Sequence, residues 1–266
     1  MVSALPRKLP IQRRLIALSR PVRYAVSRWS FRLLGNTQEL IALRNSQLDR
    51  PMLVVGNGPS LNLTPLDEFM HIPSIGMNKI DLIFNRTKWR PSLIMCINSI
   101  VASQHQNALA SSAVPVFLAW KSRSFVKRRN RATLNYFNVN SSSEFSFDAV
   151  DGFGTGATVT YTALQMAFWM GANPVILLGI DHNFSYKGPS LSYEKIEGPD
   201  GNHFDPNYFS AGTYWGTPDL AECERGYRLA RSAYKDAGRA IYDATVGGKL
   251  RIFDKISLAD AMYLVR

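Results

Sequence analysis

Histidine is scarce in this 266-residue chain, with four in all, and two of the four sit close to acids. His182 directly follows Asp181 at the end of an apolar run, and His203 lies two residues before Asp205 in a polar, aromatic stretch. An imidazole titrates near neutrality, so a carboxylate-oriented histidine can take the proton of a reacting hydroxyl. Asp181 can orient His182 or His203, or can bind Mg²⁺ beside a phosphate donor. It can equally be a simple turn residue after a strand. A second kind of chemistry is written upstream, where Met-Leu-Val-Val (52–55) meets Gly56-Asn57-Gly58-Pro59-Ser60. Glycines let the backbone turn sharply and let a ligand come close, and such turns present N–H groups to phosphate. A plain turn has the same composition.

The elements that must position these groups can be read from the pattern. Apolar runs at 52–55, 74–77, 92–97, 114–120 and 175–178 alternate with helix-length segments. This predicts an α/β, Rossmann-like fold with a mostly parallel sheet flanked by helices. Ligands of such sheets bind beyond the carboxyl ends of the strands. Asn78 and Asn98 fall at two of those ends, as groups that could bond a base or sugar or as ordinary turn formers. Gly152-Phe-Gly154-Thr155-Gly156 precedes an apolar helical segment at 157–170, which Gly171 and Pro174 end. The spacing is GxGxG, not the GxGxxG of dinucleotide binders. A second backbone loop facing Gly56–Ser60 across a ligand is the expectation. Further expectations are a short helix at 63–70, a helix at 220–237, a strand at 240–242 and a last strand at 250–253.

Residues 185–219 carry no helical period but hold Tyr186, Tyr193, Tyr208, Phe209, Tyr214 and Trp215. A long irregular segment this aromatic predicts an ordered flap. The basic stretch at 121–131 reads as a solvated loop, or as a lid for an anionic acceptor.

The net charge is +11, but it is localised. Residues 1–38 contain eight arginines and lysines and no acid. A general nucleic-acid binder spreads such charge over the folded domain, so nucleic acid is not an expected partner. Ile11, Leu15, Leu18, Val22, Ala25, Trp29 and Leu33 recur at spacings of three and four, the stripe of an amphipathic helix. Residues 7–34 therefore suit either an anionic membrane surface or packing on the protein's own body. No apolar run is long enough to span a bilayer, and arginines interrupt every signal-peptide pattern. The organisation expected is a basic helical segment at 1–48 and a transferase domain at 49–266. Two cysteines without CxxC spacing fit a cytoplasmic setting, peripheral to the inner face of the membrane if the basic helix binds it.

Gly56-Asn-Gly-Pro-Ser-Leu61, the strand end at Asn78, Gly154-Thr-Gly156 before a buried helix, Leu178-Gly-Ile-Asp-His182 and Tyr242-Asp-Ala-Thr-Val-Gly-Gly248 together resemble the MptE-like family. That family is named for an archaeal 6-hydroxymethyl-dihydropterin diphosphokinase. The same order of motifs is similar to the bacterial sialyltransferases of glycosyltransferase family 42. The resemblance covers about residues 50–255 and implies a nucleotide-binding transferase. Gly56, Asn57, Gly58, Pro59, Ser60, Asn78, Asn98, Gly154, Thr155 and Gly156 would then hold the donor. His203, His182 and Asp181 would be the catalytic candidates, because the position matching the sialyltransferase histidine is Thr213. The donor is a nucleotide sugar used on a hydroxyl-bearing glycan or lipid-linked acceptor, or, under the diphosphokinase alternative, ATP with Mg²⁺. A nucleotide-binding module without catalysis is the third reading.

Overall fold

The computed structural model describes residues 22, 24–35, 37–126, 133–140 and 143–266. The basic stripe before residue 22 and the run at 127–131 lie outside the described residues. A helix, α1, covers 24–34; α2 follows at Gln38–Ala42. Eight parallel strands then build one sheet: β1 (Met52–Val55), β2 (Ser74–Met77), β3 (Leu93–Cys96), β4 (Val116–Ala119), β5 (Leu134–Phe137), β6 (Val175–Leu178), and, after the flap, β9 (Ile241–Asp243) and β10 (Asp254–Lys255). Helices α3 (Ser99–Gln104), α4 (Gln106–Ser111), α5 (Val159–Trp169), α6 (Leu220–Asp236) and α7 (Leu258–Leu264) flank it. The flap contributes an antiparallel pair, β7 (Tyr193–Lys195) and β8 (Tyr214–Gly216).

The spatial order is β10-β9-β6-β1-β2-β3-β4-β5. Strands β1 to β6 are buried on both faces, as the unbroken apolar runs of β1, β3, β4 and β6 require. The order reverses between β1 and β6, which pair along their whole lengths up to Val55 with Leu178. A parallel sheet has its ligand crevice at such a reversal. The Gly56 turn and the Gly179–His182 turn therefore leave the sheet side by side.

Helix α5 packs across β1, β2 and β3 and is buried almost all round. Thr158 caps it by accepting from the Thr160 N–H. In α1, Phe31 is fully buried and packs edge-on against Trp120 at 5.6 Å.

Two expectations differ from the structure, and two features had not been foreseen. The helix at 63–70 is two short 3₁₀ turns, Pro59–Leu63 and Leu66–Phe69, separated where Pro65 interrupts the helical ladder. The strand at 250–253 is absent; the pairing residues are Asp254 and Lys255, because Asp254 aligns with Tyr242 and Lys255 with Asp243. Strand β5 follows the basic stretch at 121–131, where no strand was expected, its four residues buried beside β4. Finally, α1 packs through Tyr24, Ser27 and Phe31, while Val22, Trp29 and Leu33 of the sequence stripe are exposed.

Candidate functional site

A cavity of about 640 Å³ lies at the carboxyl ends of the strands, between the sheet and the flap. Its floor is the Gly56 turn. Gly56 N–H donates to Leu178 O at 2.8 Å and Gly58 N–H to Gly179 O at 2.9 Å, so this turn is stitched to the end of β6. A Cβ on Gly56 would stand 2.3 Å from the Gly179 carbonyl oxygen, and one on Gly58 1.8 Å from the Asp181 carboxylate. The sequence reading made these glycines room for a ligand. The room is used by the protein itself, because two strand-end turns cross at backbone distance.

Asp181 is the clasp of that crossing. Its carboxylate accepts from the Ser60 N–H at 3.0 Å and from Ser60 Oγ at 2.6 Å. Asp181 therefore orients neither histidine. Ile180 N–H donates to Thr245 Oγ1, Thr245 N–H to the buried Asp243 carboxylate, and Lys249 N–H to Asp181 O. The late Asp-Ala-Thr-Val-Gly-Gly motif thus braces the end of β6.

The predicted donor residues divide. Gly56, Asn57, Gly58, Asn78, Asn98 and Thr155 line the cavity, while Pro59, Ser60, Gly154 and Gly156 stand behind the lining. Asn57 Nδ2 donates to Met77 O at 2.9 Å, leaving its buried Oδ1 unpartnered, as is Asn78 Oδ1. Buried acceptors without donors are costly unless a ligand or water supplies one. Asn98 caps α3 by accepting from Ile100 N–H. Gln165 and Thr162 hold Gly154 by its N–H and C=O, and Gly156, at φ +44°, makes room for Tyr161. This second glycine loop aims Thr155, Thr158 and the amino end of α5 into the cavity, where a helix carries partial positive charge.

The flap closes the other side. Phe204 N–H donates to Asn57 O at 2.9 Å, and Asn62 Nδ2 to Phe204 O at 3.0 Å. Lys79, buried at the end of β2, donates through Nζ to Tyr208 O at 2.6 Å and lies over the Phe209 ring at 4.6 Å. Burial pulls the Lys79 ammonium below its ordinary pKa, while Asp200 and Asp81 act to raise it.

His203 stacks on Tyr208, with rings parallel and centroids 3.9 Å apart. Its Nδ1 lies 2.8 Å from Asp200 Oδ2. Sequence reasoning missed Asp200; the signal was its three-residue spacing from His203. The carboxylate it favoured, Asp205, instead faces Arg86 at 3.7 Å and bonds Asn207 N–H. His182, at φ +50°, faces Glu224 at 3.3 Å and Tyr227. Both histidines line the cavity. So do Asn78, Ala157 and Leu191, which with His182 make four of the six described non-glycine residues in the left-handed region. Strain of this kind gathers at functional sites.

Burial pushes the Asp200 carboxyl up, but the His203 hydrogen bond and charge, with the Asn202 and Phe209 N–H groups, outweigh it and hold Asp200 below the ordinary carboxylate value. Ionised Asp200 therefore stabilises the flap above its unfolded pKa of about 3.9, and this is lost as pH falls through the lowered folded value. Trp215 fluorescence is expected to report flap loosening in that acid range, and Asp200→Asn to remove the transition.

The cavity's acids are committed: Asp181 to Ser60, and Asp219 to the cap of α6. Among the described residues no three His, Cys, Asp or Glu side chains gather to hold a metal. The donor set does not fit Mg²⁺. Burial pushes the Cys96 and Cys223 thiols up to about 12, so neither is a nucleophile near neutrality.

No curated protein matches the sequence. Among solved structures, the chain is similar to the MAf glycosyltransferase from Magnetospirillum magneticum AMB-1, with a TM-score of 0.50 and 16% identity over 80% of this chain. The chain spans 34% of that protein's length. It is also similar to the sialyltransferase CstII from Campylobacter jejuni, solved with the substrate analogue CMP-3FNeuAc, at a TM-score of 0.43 and 11% identity, over 78% of this chain and 86% of that one. At 16% identity the first of these likenesses is one of fold alone, an α/β arrangement of Rossmann-like type. The family model described as 6-hydroxymethylpterin diphosphokinase MptE-like matches residues 31–187, which take in the last turn of α1, the Gly56 turn, the Gly154 loop and the end of β6. The chain belongs to the MptE-like family.

Proposed function

We propose that this protein is a glycosyltransferase-like enzyme that moves a sugar from a nucleotide donor to an acceptor hydroxyl. The observation that carries this reading is the His203–Asp200 pair, held on Tyr208 in the cavity wall opposite the Gly56 turn. With Nδ1–H donating to Asp200, Nε2 is left basic. It accepts the hydroxyl proton as the acceptor oxygen bonds to the anomeric carbon and the sugar–phosphate bond breaks. The leaving phosphate carries away the bonding electrons and meets the amino end of α5 and Lys121, which also lines the cavity. Asn57 Oδ1 and Asn78 Oδ1 supply unpartnered acceptors for the nucleoside.

Pterin diphosphorylation, the activity in the family's name, is the second reading. The commitment of Asp181 to Ser60 ranks it lower, because ATP-dependent transfer uses carboxylates to hold its metal.

A thermal-shift screen against CMP, UDP, GDP and their sugars tests the reading. A nucleotide at 100 times its dissociation constant is expected to stabilise by about 2.7 kcal/mol, with slow hydrolysis of the matching nucleotide sugar. Stabilisation by none of them, or turnover only with ATP, Mg²⁺ and a pterin, would reject it.

A further inference from the structure

We infer that the outward face of α1, with Arg123 and Phe125 beside it, docks this protein on an anionic lipid surface. The rotation of α1 is fixed from inside. Phe31 is buried against Trp120, Trp120 Nε1 donates to Ser30 Oγ at 2.9 Å, and Ser27 Oγ donates to Asn138 Oδ1 at 3.1 Å. Arg28 and Arg32 both pair with Asp151 on the body.

That setting turns Val22, Val26, Trp29 and Leu33 outward, at steps of four, three and four residues. Each is 59–66% exposed, and Leu34 beside them is 76% exposed. A row of large apolar side chains left in water marks an interaction surface.

Charge identifies the occupant. Residues 1–38 hold eight cations and no acid. A second basic stretch leaves from the same place. Arg123 lies 4.4 Å over the Trp120 ring, Phe125 is 43% exposed, and the sequence continues through Lys127, Arg128, Arg129 and Arg131. Ser30 and Phe31 of α1 and the guanidinium of Arg123 thus meet at Trp120, with exposed apolar groups on either side. A bilayer with anionic headgroups complements both, taking the stripe into its apolar boundary and the cations at its surface. A second copy of the chain would set like charge against like. Tyr24 of α1 and Lys121 also line the cavity, so docking brings the site within one helix of the membrane. The binding claim does not depend on which group is transferred.

The test is co-sedimentation of the full chain with vesicles of phosphatidylcholine alone and of phosphatidylcholine containing phosphatidylglycerol. Binding to the anionic vesicles is expected to be at least about tenfold tighter and to weaken as salt rises. Trp29→Ser with Leu33→Ser is expected to lower it about tenfold at an unchanged melting temperature, because both side chains are exposed. Equal binding to both vesicle types, no binding, or undiminished binding of the double variant would overturn the proposal. So would sedimentation equilibrium showing a wild-type dimer that the double variant dissociates, which assigns the stripe to a second copy.

Discussion

His203→Gln is expected to lower kcat/KM by about 10²–10⁴-fold, the usual contribution of a positioned general base. Nucleotide affinity is expected to change little, because the Gly56 turn and its flanking asparagines are untouched. Asp200→Asn is expected to act through His203, with a smaller loss of rate and a displaced acidic limb of the pH–rate profile. His182→Ala is the contrasting variant. Its imidazole faces Glu224 at 3.3 Å and the Tyr227 ring, so a small effect is expected. If His182→Ala abolished turnover while His203→Gln left it intact, the assignment of the base would be wrong.

Gly56→Ala is the change with the largest expected cost in stability. The added methyl meets the Gly179 carbonyl oxygen at 2.3 Å and Ile180 Cδ1 at 2.5 Å. The first is backbone at the end of a central strand and cannot swing aside. Either β1 and β6 separate at Val55 and Leu178, or the turn unwinds and loses its hydrogen bonds. A cost of about 2–4 kcal/mol follows, from overpacking and lost pairing together. In a chain of this size it lowers the melting temperature by about 5–12 °C. Gly58→Ala meets a side chain, the Asp181 carboxylate, which can move but then releases Ser60. Gly198→Ala, with nothing within 4 Å of its Cβ, is the control. Calorimetry that found Gly56→Ala as stable as Gly198→Ala would refute the crossed-turn account.

The sheet was legible because a strand buried on both faces must be apolar throughout, and β1, β3, β4 and β6 are. Strand β5 escaped because Leu-Asn-Tyr-Phe interrupts that run with a polar residue. The glycine turn was found for a partial reason: its residues do line the cavity, but the close approach that excludes a side chain is to Gly179 and Asp181, 121 or more residues away. Partners at that separation leave no local pattern. The same holds for His182, whose Glu224 lies 42 residues on, but not for His203, whose Asp200 stands three residues before it. Their types announced acid–base chemistry, yet Asp200 and Glu224 became their carboxylates through folding of the flap and α6. The packed face of α1 was not legible because Phe31, off the stripe, finds a fully buried place beside Trp120.

The flap's grip on the glycine turn also sets an order of events during synthesis. Ser60 must find Asp181 across 121 residues, and Asn62 must find Phe204 across 142. Closing loops of that length is slow compared with forming local contacts. On the ribosome, strands β1 to β5 can pair well before the cavity has a far wall. If the cavity holds the proposed donor, the growing chain cannot bind it until the flap has emerged, and a nucleotide cannot template the early sheet. It can only capture the protein at the last step, when the two ends of the site meet.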